Sequence, residues 1–179
     1  IGADLDAIVA TGAMPFATRE RLAAAVAQRA NVLITGAAGT GKTTLLGAML
    51  SHASPRERIV TIEDVAELRI DHPHHVALES RQANIEGAGA VSLARLVREA
   101  LRMRPDRLVV GECRGEEIRE LLTALNTGHD GGAGTVHANS LDDVPARLEA
   151  LAALAGWDDR VLARQVVSAI DLVVHLERG

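Results

Sequence analysis

Apolar residues along this chain fall into short, dense runs separated by longer stretches in which they recur every three or four positions. The dense runs read as buried strands and the periodic stretches as helices facing a core. Residues 4–10 and 18–30 carry the helical period, with Thr18 in an N-cap position. Arg21 rather than Glu stands three residues on, so that capping box is incomplete. Asn31 to Thr35 (NVLIT) is the first strand, and a helix is expected from Lys42 to about Ser51. Arg58 to Glu63 (RIVTIE) is the second strand, and residues 75–80 a third nearer an edge. Over 91–103, Leu93, Leu96, Val97, Ala100 and Leu101 share one helical face, and Arg95, Arg98 and Arg102 the other. Pro105 stops that helix. Leu108 to Gly111 (LVVG) is a buried strand and 115–125 a helix. A Gly-rich turn over 126–134 leads through Gly134 to Val136 into His137; helices at 141–154 and 158–169 and a strand from Asp171 to Leu176 follow. Strand and helix alternate throughout, which predicts an α/β fold with a mostly parallel sheet flanked by helices.

Composition adds limits. Apolar residues make up 47% and charged residues 24% of the 179, the balance of a globular domain. One Trp, one Phe and no Tyr leave the core to Leu, Val, Ile and Ala. They also leave no aromatic platform on which single-stranded nucleic acid would stack. A formal net charge of −5 argues against a chain that coats DNA or anionic lipid, so direct nucleic-acid binding is not expected. A local basic site stays open. The single cysteine, Cys113, permits no internal disulfide, which fits a reducing compartment. No apolar run is long enough to span a bilayer, and no secretory signal is visible. The chain begins at Ile1, so it is expected to be a piece of a longer protein or a processed one.

The strongest chemical signal is Gly36-Ala37-Ala38-Gly39-Thr40-Gly41-Lys42-Thr43, followed by Thr44. In a G-x-x-x-x-G-K-[ST] loop the glycines let the backbone bend until successive N–H groups point inward at phosphate oxygens. A helix starting at Lys42 adds its positive dipole end. Lys42 can reach the β and γ phosphates of a nucleoside triphosphate, and the Thr43 hydroxyl can hold Mg²⁺. The context is the required one, a strand before and a helix after. ATP and Mg²⁺ are the ligands this implies.

A bound triphosphate needs acidic groups for the metal and for the attacking water. Glu63-Asp64 closes one apolar strand and Glu112 another, with Glu67 close behind the first pair. In parallel sheets ligands collect at the carboxyl ends of strands, which aims both ends at the phosphates. Many phosphate-loop proteins carry Asp at the end of the second of these strands, where Gly111 stands here. Glu112 is therefore expected to act on the metal through water. His72, His74 and His75 crowd beside Asp71, but Pro73 breaks any helical pairing and no fourth ligand is spaced for zinc, so a surface hairpin is the expectation. The arginine face of 91–103 reads as a solvated stripe, with a subunit contact or a reach to a neighbouring phosphate as its alternative. Cys113 reads as a small buried apolar side chain, and Trp157 as packing between two helices.

Four segments together go further: GAAGTGKTTLL (36–46), TIEDVAELRI (61–70), RMRPDRLVVGECRGEE (102–117) and TGHDGGAGTVHANS (127–140). In order and spacing they resemble the Walker A, Asp box, Walker B and His box of the type II/type IV secretion ATPase superfamily. The nearest likeness is to the branch that drives Tad/Flp pilus assembly and related conjugation-type secretion. The resemblance implies a RecA-like ATPase domain over 31–179, with 1–30 a helical lead-in from an N-terminal domain. It implies a homo-hexameric ring on the cytoplasmic face of the inner membrane, working with inner-membrane platform proteins to power pilus assembly or the secretion of protein or DNA. By the same resemblance Glu63 is the general base or water-positioning residue, Glu112 holds Mg²⁺ through water, and His137 senses the γ-phosphate, with His129 and Arg114 near it. An N-terminal domain of the family commonly supplies arginines to the phosphates, so this stretch alone is expected to bind ATP and turn over poorly. The rival readings are a DNA-translocating RecA-like ATPase and a non-hydrolysing nucleotide-binding ring scaffold.

Overall fold

In the computed structural model, which describes residues 4–178, the alternation resolves into one six-stranded sheet with helices on both faces. The strands are β1 (Val32–Gly36), β2 (Ile59–Glu63), β3 (His75–Glu79), β4 (Arg107–Val110), β5 (Ala133–His137) and β6 (Leu172–Leu176). Their order across the sheet is β3-β2-β4-β5-β1-β6, and every pairing is parallel. All six carboxyl ends therefore lie along one edge. β1, β2 and β4 are buried at every position because both faces are covered, which is why they read as unbroken apolar runs. β3 and β6 are the edges and are only half-buried.

The helices are α1 (Leu5–Ala10), α2 (Phe16–Ala27), α3 (Lys42–Leu50), α4 (Leu93–Leu101), α5 (Glu117–Leu125), α6 (Val144–Leu154) and α7 (Asp159–Ala169). Strand alternation divides the core in two. Leu33, Val60, Ile62, Leu108 and Val136 face α4 to α7. Val32, Ile34, Ile59, Val109 and Ala133 face α1 to α3. α1 and α2, expected as a lead-in, bury Leu5, Leu22 and Val26 in the same cluster as β1 and α3.

Some boundaries differ from expectation. α2 starts at Phe16 with Pro15 before it, not at Thr18: Pro15 has extended backbone, and its carbonyl accepts the N–H groups of Thr18 and Arg19. Residues 71–74 form no hairpin, because the strand they enter runs parallel to β2 and must come in from the same edge. Ser92 caps α4 by accepting the Arg95 N–H. The arginine face of α4 is exposed and partly paired, Arg98 with Glu120 at 2.9 Å and Arg102 with Glu99 at 3.1 Å.

The edge of the sheet opposite the carboxyl ends is tied by a polar network. Arg107, 3% exposed, pairs with Glu57, donates to the carbonyls of Val26 and Gly131, and shares Glu57 with Arg29. Buried Asn31 accepts from the N–H groups of Gly131 and Gly132 and donates to the Ala169 carbonyl. This satisfies three backbone groups of two connections with one amide.

Candidate functional site

β1 ends at Gly36, and the chain turns through residues 37–41 into α3 at Lys42. Gly39 (φ +73) and Gly41 (φ +90) occupy the left-handed region, where a side chain is strained. Gly36 is needed for space: a Cβ there would sit 2.6 Å from the Leu176 carbonyl oxygen and 2.8 Å from Thr40 Oγ1. The loop carbonyls are held from several sides. Lys42 Nζ donates to the Gly36 and Ala37 carbonyls (2.9 and 2.8 Å), and Thr40 Oγ1 to that of Ala37 (2.9 Å). Lys42 is 8% exposed, and burial lowers the pKa of its ammonium against the opposing pull of Glu112. A cation poised this way gains more than a solvated one from an incoming anion.

Beside Thr43 opens a cleft of about 130 Å³ lined by Glu63, Asp64, Glu67, Gly111, Glu112 and Arg114. β2 and β4 are neighbours, so the ends of RIVTIE and LVVG meet there. Glu63 is 5% exposed, and its Oε1 accepts the N–H groups of Glu67 (3.1 Å) and Leu68 (3.0 Å). Burial raises its pKa above the ordinary glutamate value, opposed by those two bonds and assisted by the charges of Glu67 and Glu79. Gly111 explains why no Asp stands at the end of β4: a Cβ there would lie 2.6 Å from Glu63 Cγ. The buried Glu63 occupies the space a side chain at 111 would need. Glu112 is half-buried and receives Arg114 through Nε (2.8 Å) and Nη2 (2.6 Å). Arg114 thus reaches the cleft as a partner of Glu112. Cys113 between them is fully buried, and burial pushes its thiol pKa well up.

His137 ends β5 directly across from Gly36 in the β1–β5 register and is half-exposed at the same edge. The structure therefore brings together the phosphate loop with Thr43, Glu63, Glu112, Arg114 and His137. His129 is the exception. It precedes β5, with Nδ1 3.3 Å from the Ala124 carbonyl oxygen, and lies at the opposite edge near Asn31. A parallel strand carries the chain from one edge to the other, so residues on either side of β5 cannot share a site.

Two features escaped the sequence. Arg178, beyond β6, donates through Nη2 to the Ala38 carbonyl at 2.8 Å. A mostly apolar cleft of about 460 Å³ lies on the other side of the loop, where Thr40, Gly41 and Thr44 face Ile8, Met14 and Val174. Both depend on β6 lying next to β1 (Gly36 opposite Leu176), an adjacency no local pattern encodes.

Oxygen groups dominate the first cleft: a threonine hydroxyl and four carboxylates. That donor set suits Mg²⁺, a hard cation that keeps water and phosphate oxygens among its ligands. Among the described residues no group of three or more His, Cys, Asp or Glu side chains is placed to hold a metal ion. The histidines at 72–75 engage other partners: His72 Nε2 lies 2.9 Å from the Ser54 carbonyl oxygen, and His75 Nε2 2.9 Å from Thr61 Oγ1.

The family model described as "Type II/IV secretion system protein" matches residues 3–178. A protein of Mycobacterium tuberculosis named for conjugal transfer is 55% identical over 175 residues, covering 98% of this chain and 50% of the relative. The conjugal transfer protein TrbB of Rhizobium radiobacter is 36% identical over 178 residues, covering 98% and 52%. Among solved structures, the VirB11 ATPase of the Brucella suis type IV secretion system superposes with a TM-score of 0.80 at 30% identity, covering 98% of this chain and 50% of that one. The chain thus spans about half the length of these relatives. It belongs to the type II/IV secretion system protein family and has the fold of the RecA-like secretion ATPases.

Proposed function

We propose that this chain is the Mg²⁺-dependent ATP-binding and ATP-hydrolysing motor domain of a secretion or pilus-assembly machine. The observation that carries the reading is the meeting of Lys42, Thr43, Glu63, Glu112 and His137 at one edge of the sheet. Loop N–H groups and the start of α3 bind the phosphates, and Lys42 neutralises them. The apolar cleft beside Thr40 and Thr44 has the chemistry to take the nucleobase. Thr43 and Glu112 would hold Mg²⁺, Glu112 through water; when bound, the ion offsets charge on the β and γ phosphates. Glu63 orients the attacking water and takes its proton. Its raised pKa suits a base better than a fully solvated carboxylate would. His137 lies where a γ-phosphate contact is expected, and Arg114 steers Glu112.

The finer reading is a homo-hexameric ring at the inner face of the cytoplasmic membrane, partnered by inner-membrane platform proteins. Tad/Flp pilus assembly and conjugation-type secretion are the two outputs its relatives and motifs suggest. In the longer protein, residues 1–30 would lead in from an N-terminal domain whose arginines complete the site. No helix among the described residues is long and apolar enough to cross a membrane.

Nucleotide binding and phosphate release separate the roles. Lys42→Ala is expected to abolish ATP binding, and Glu63→Gln to keep binding while losing phosphate release by about a hundredfold or more. Unchanged phosphate release in Glu63→Gln would remove it from the chemistry. Full ATP binding by Lys42→Ala would overturn the phosphate site itself.

A further inference from the structure

Three successive carbonyls of the phosphate loop are held by donors, and the third is held from outside the motif. The Gly36 and Ala37 carbonyls are served by Lys42, with help from the Ala138 N–H and Thr40. The Ala38 carbonyl is served by Arg178, 140 positions further along the chain. β6 makes this reach possible. Its register sets Leu176 opposite Gly36, and Leu176 packs so closely that a Cβ on Gly36 would lie 3.2 Å from Leu176 Cβ. Arg178 follows two residues later, exposed, with its guanidinium about the loop at Ala38 and Gly39.

The consequence lies in the peptide plane. In a trans peptide the C=O of one residue and the N–H of the next point in opposite directions. A guanidinium holding the Ala38 carbonyl therefore turns the Gly39 N–H away from itself. Gly39 is also the residue least able to resist rotation, since glycine at φ +73 has mirror-related conformations open to it. If that peptide rotated, a carbonyl oxygen would replace a donor facing the phosphates, and an attraction would become a repulsion.

We infer that Arg178 is a positioning residue of the phosphate site: by pinning the Ala38 carbonyl it locks the Ala38–Gly39 peptide with the Gly39 N–H presented to a nucleotide phosphate. It acts through the backbone, not by touching phosphate. The inference rests on the proposed nucleotide site and adds a residue that lies outside all four motifs. It also makes the phosphate loop responsive to β6. Anything that pulls the segment after Leu176 would release the lock and weaken nucleotide binding.

The test uses the 179-residue chain labelled with ¹⁵N-glycine, with Gly39→Ala used only to identify the Gly39 amide resonance. ADP affinity is measured by titration calorimetry for the unmodified chain, Arg178→Ala and Arg178→Lys. Arg178→Ala is expected to weaken ADP binding about tenfold. It should also shift or broaden the Gly39 amide in the ligand-free chain and leave the thermal midpoint unchanged. Arg178→Lys, which keeps a donor of similar reach, should recover most of the affinity and the Gly39 position. Equal ADP affinity in Arg178→Ala would overturn the inference. So would weakened affinity with an unmoved Gly39 amide, because that pattern marks direct contact with phosphate. If the unmodified chain fails to bind ADP, the nucleotide site itself is wrong, and the Gly39 resonance still decides whether Arg178 sets the peptide.

Discussion

Glu63 shows how one side chain combines burial and chemistry. Its carboxylate is held on one oxygen by two backbone N–H groups while burial resists its ionisation. A raised pKa means that the folded chain binds this proton more tightly than the unfolded chain. The stabilising contribution is then complete below the ordinary value near 4.5 and is lost as pH rises through the folded value. At neutral pH the ionised group costs stability. Glu63→Gln should therefore raise the thermal midpoint at pH 7 while removing activity, a pairing expected of a functional residue rather than a structural one. The same shift predicts that kcat falls in acid through a pKa above the usual glutamate range. That limb should vanish from the residual rate of Glu63→Gln; a limb that persists would assign the titration to another group.

At the scale of elements, the site is a product of neighbouring strands. β2 and β4 pair in register, and Gly111, just past β4, leaves the room that Glu63 fills. Gly111→Ala places a methyl about where Glu63 Cγ now lies, so either the glutamate moves or the strands part. The expected outcome is a loss of about 1–3 kcal/mol of stability by chemical denaturation, with kcat reduced tenfold or more and ADP affinity nearly unchanged. Loss of ADP binding instead would show that the disturbance reaches the phosphate loop across β1. The same logic accounts for His129. The string 127–140 reads as one motif, yet β5 runs through its middle and separates His129 from His137 by the full length of a strand.

At the scale of the whole molecule, the proposed motor reading depends on how much of the catalytic site this chain supplies. The chain spans about half the length of the relatives it matches. The cleft beside Thr43 contains one arginine, Arg114, and that side chain is paired with Glu112. If transition-state charge is met by arginines from a further domain, this chain should bind ATP and hydrolyse it slowly. The longer protein should then be faster by about 10³-fold or more. Steady-state phosphate release from both decides the matter, and equal rates would sink the idea.

The local chemistry was open to reading from the amino-acid order, because it depends on short-range rules. Strand runs, helix periods, the Gly-Lys-Thr loop and acids at strand ends are each set within about ten residues. Glu63, Glu112 and His137 could be placed at one edge because parallel strands put all their carboxyl ends on the same side. What local pattern could not supply was lateral order. That β6 lies against β1, that Arg178 thereby meets the phosphate loop, and that Gly111 is required by its neighbour Glu63 are facts about contacts between distant segments. Those contacts are settled by how two apolar faces of a sheet are covered at once. The sequence by itself determined the order of strands and helices and the edge at which the candidate site residues gather, and only the packed sheet decided the element boundaries and which side chains touch there.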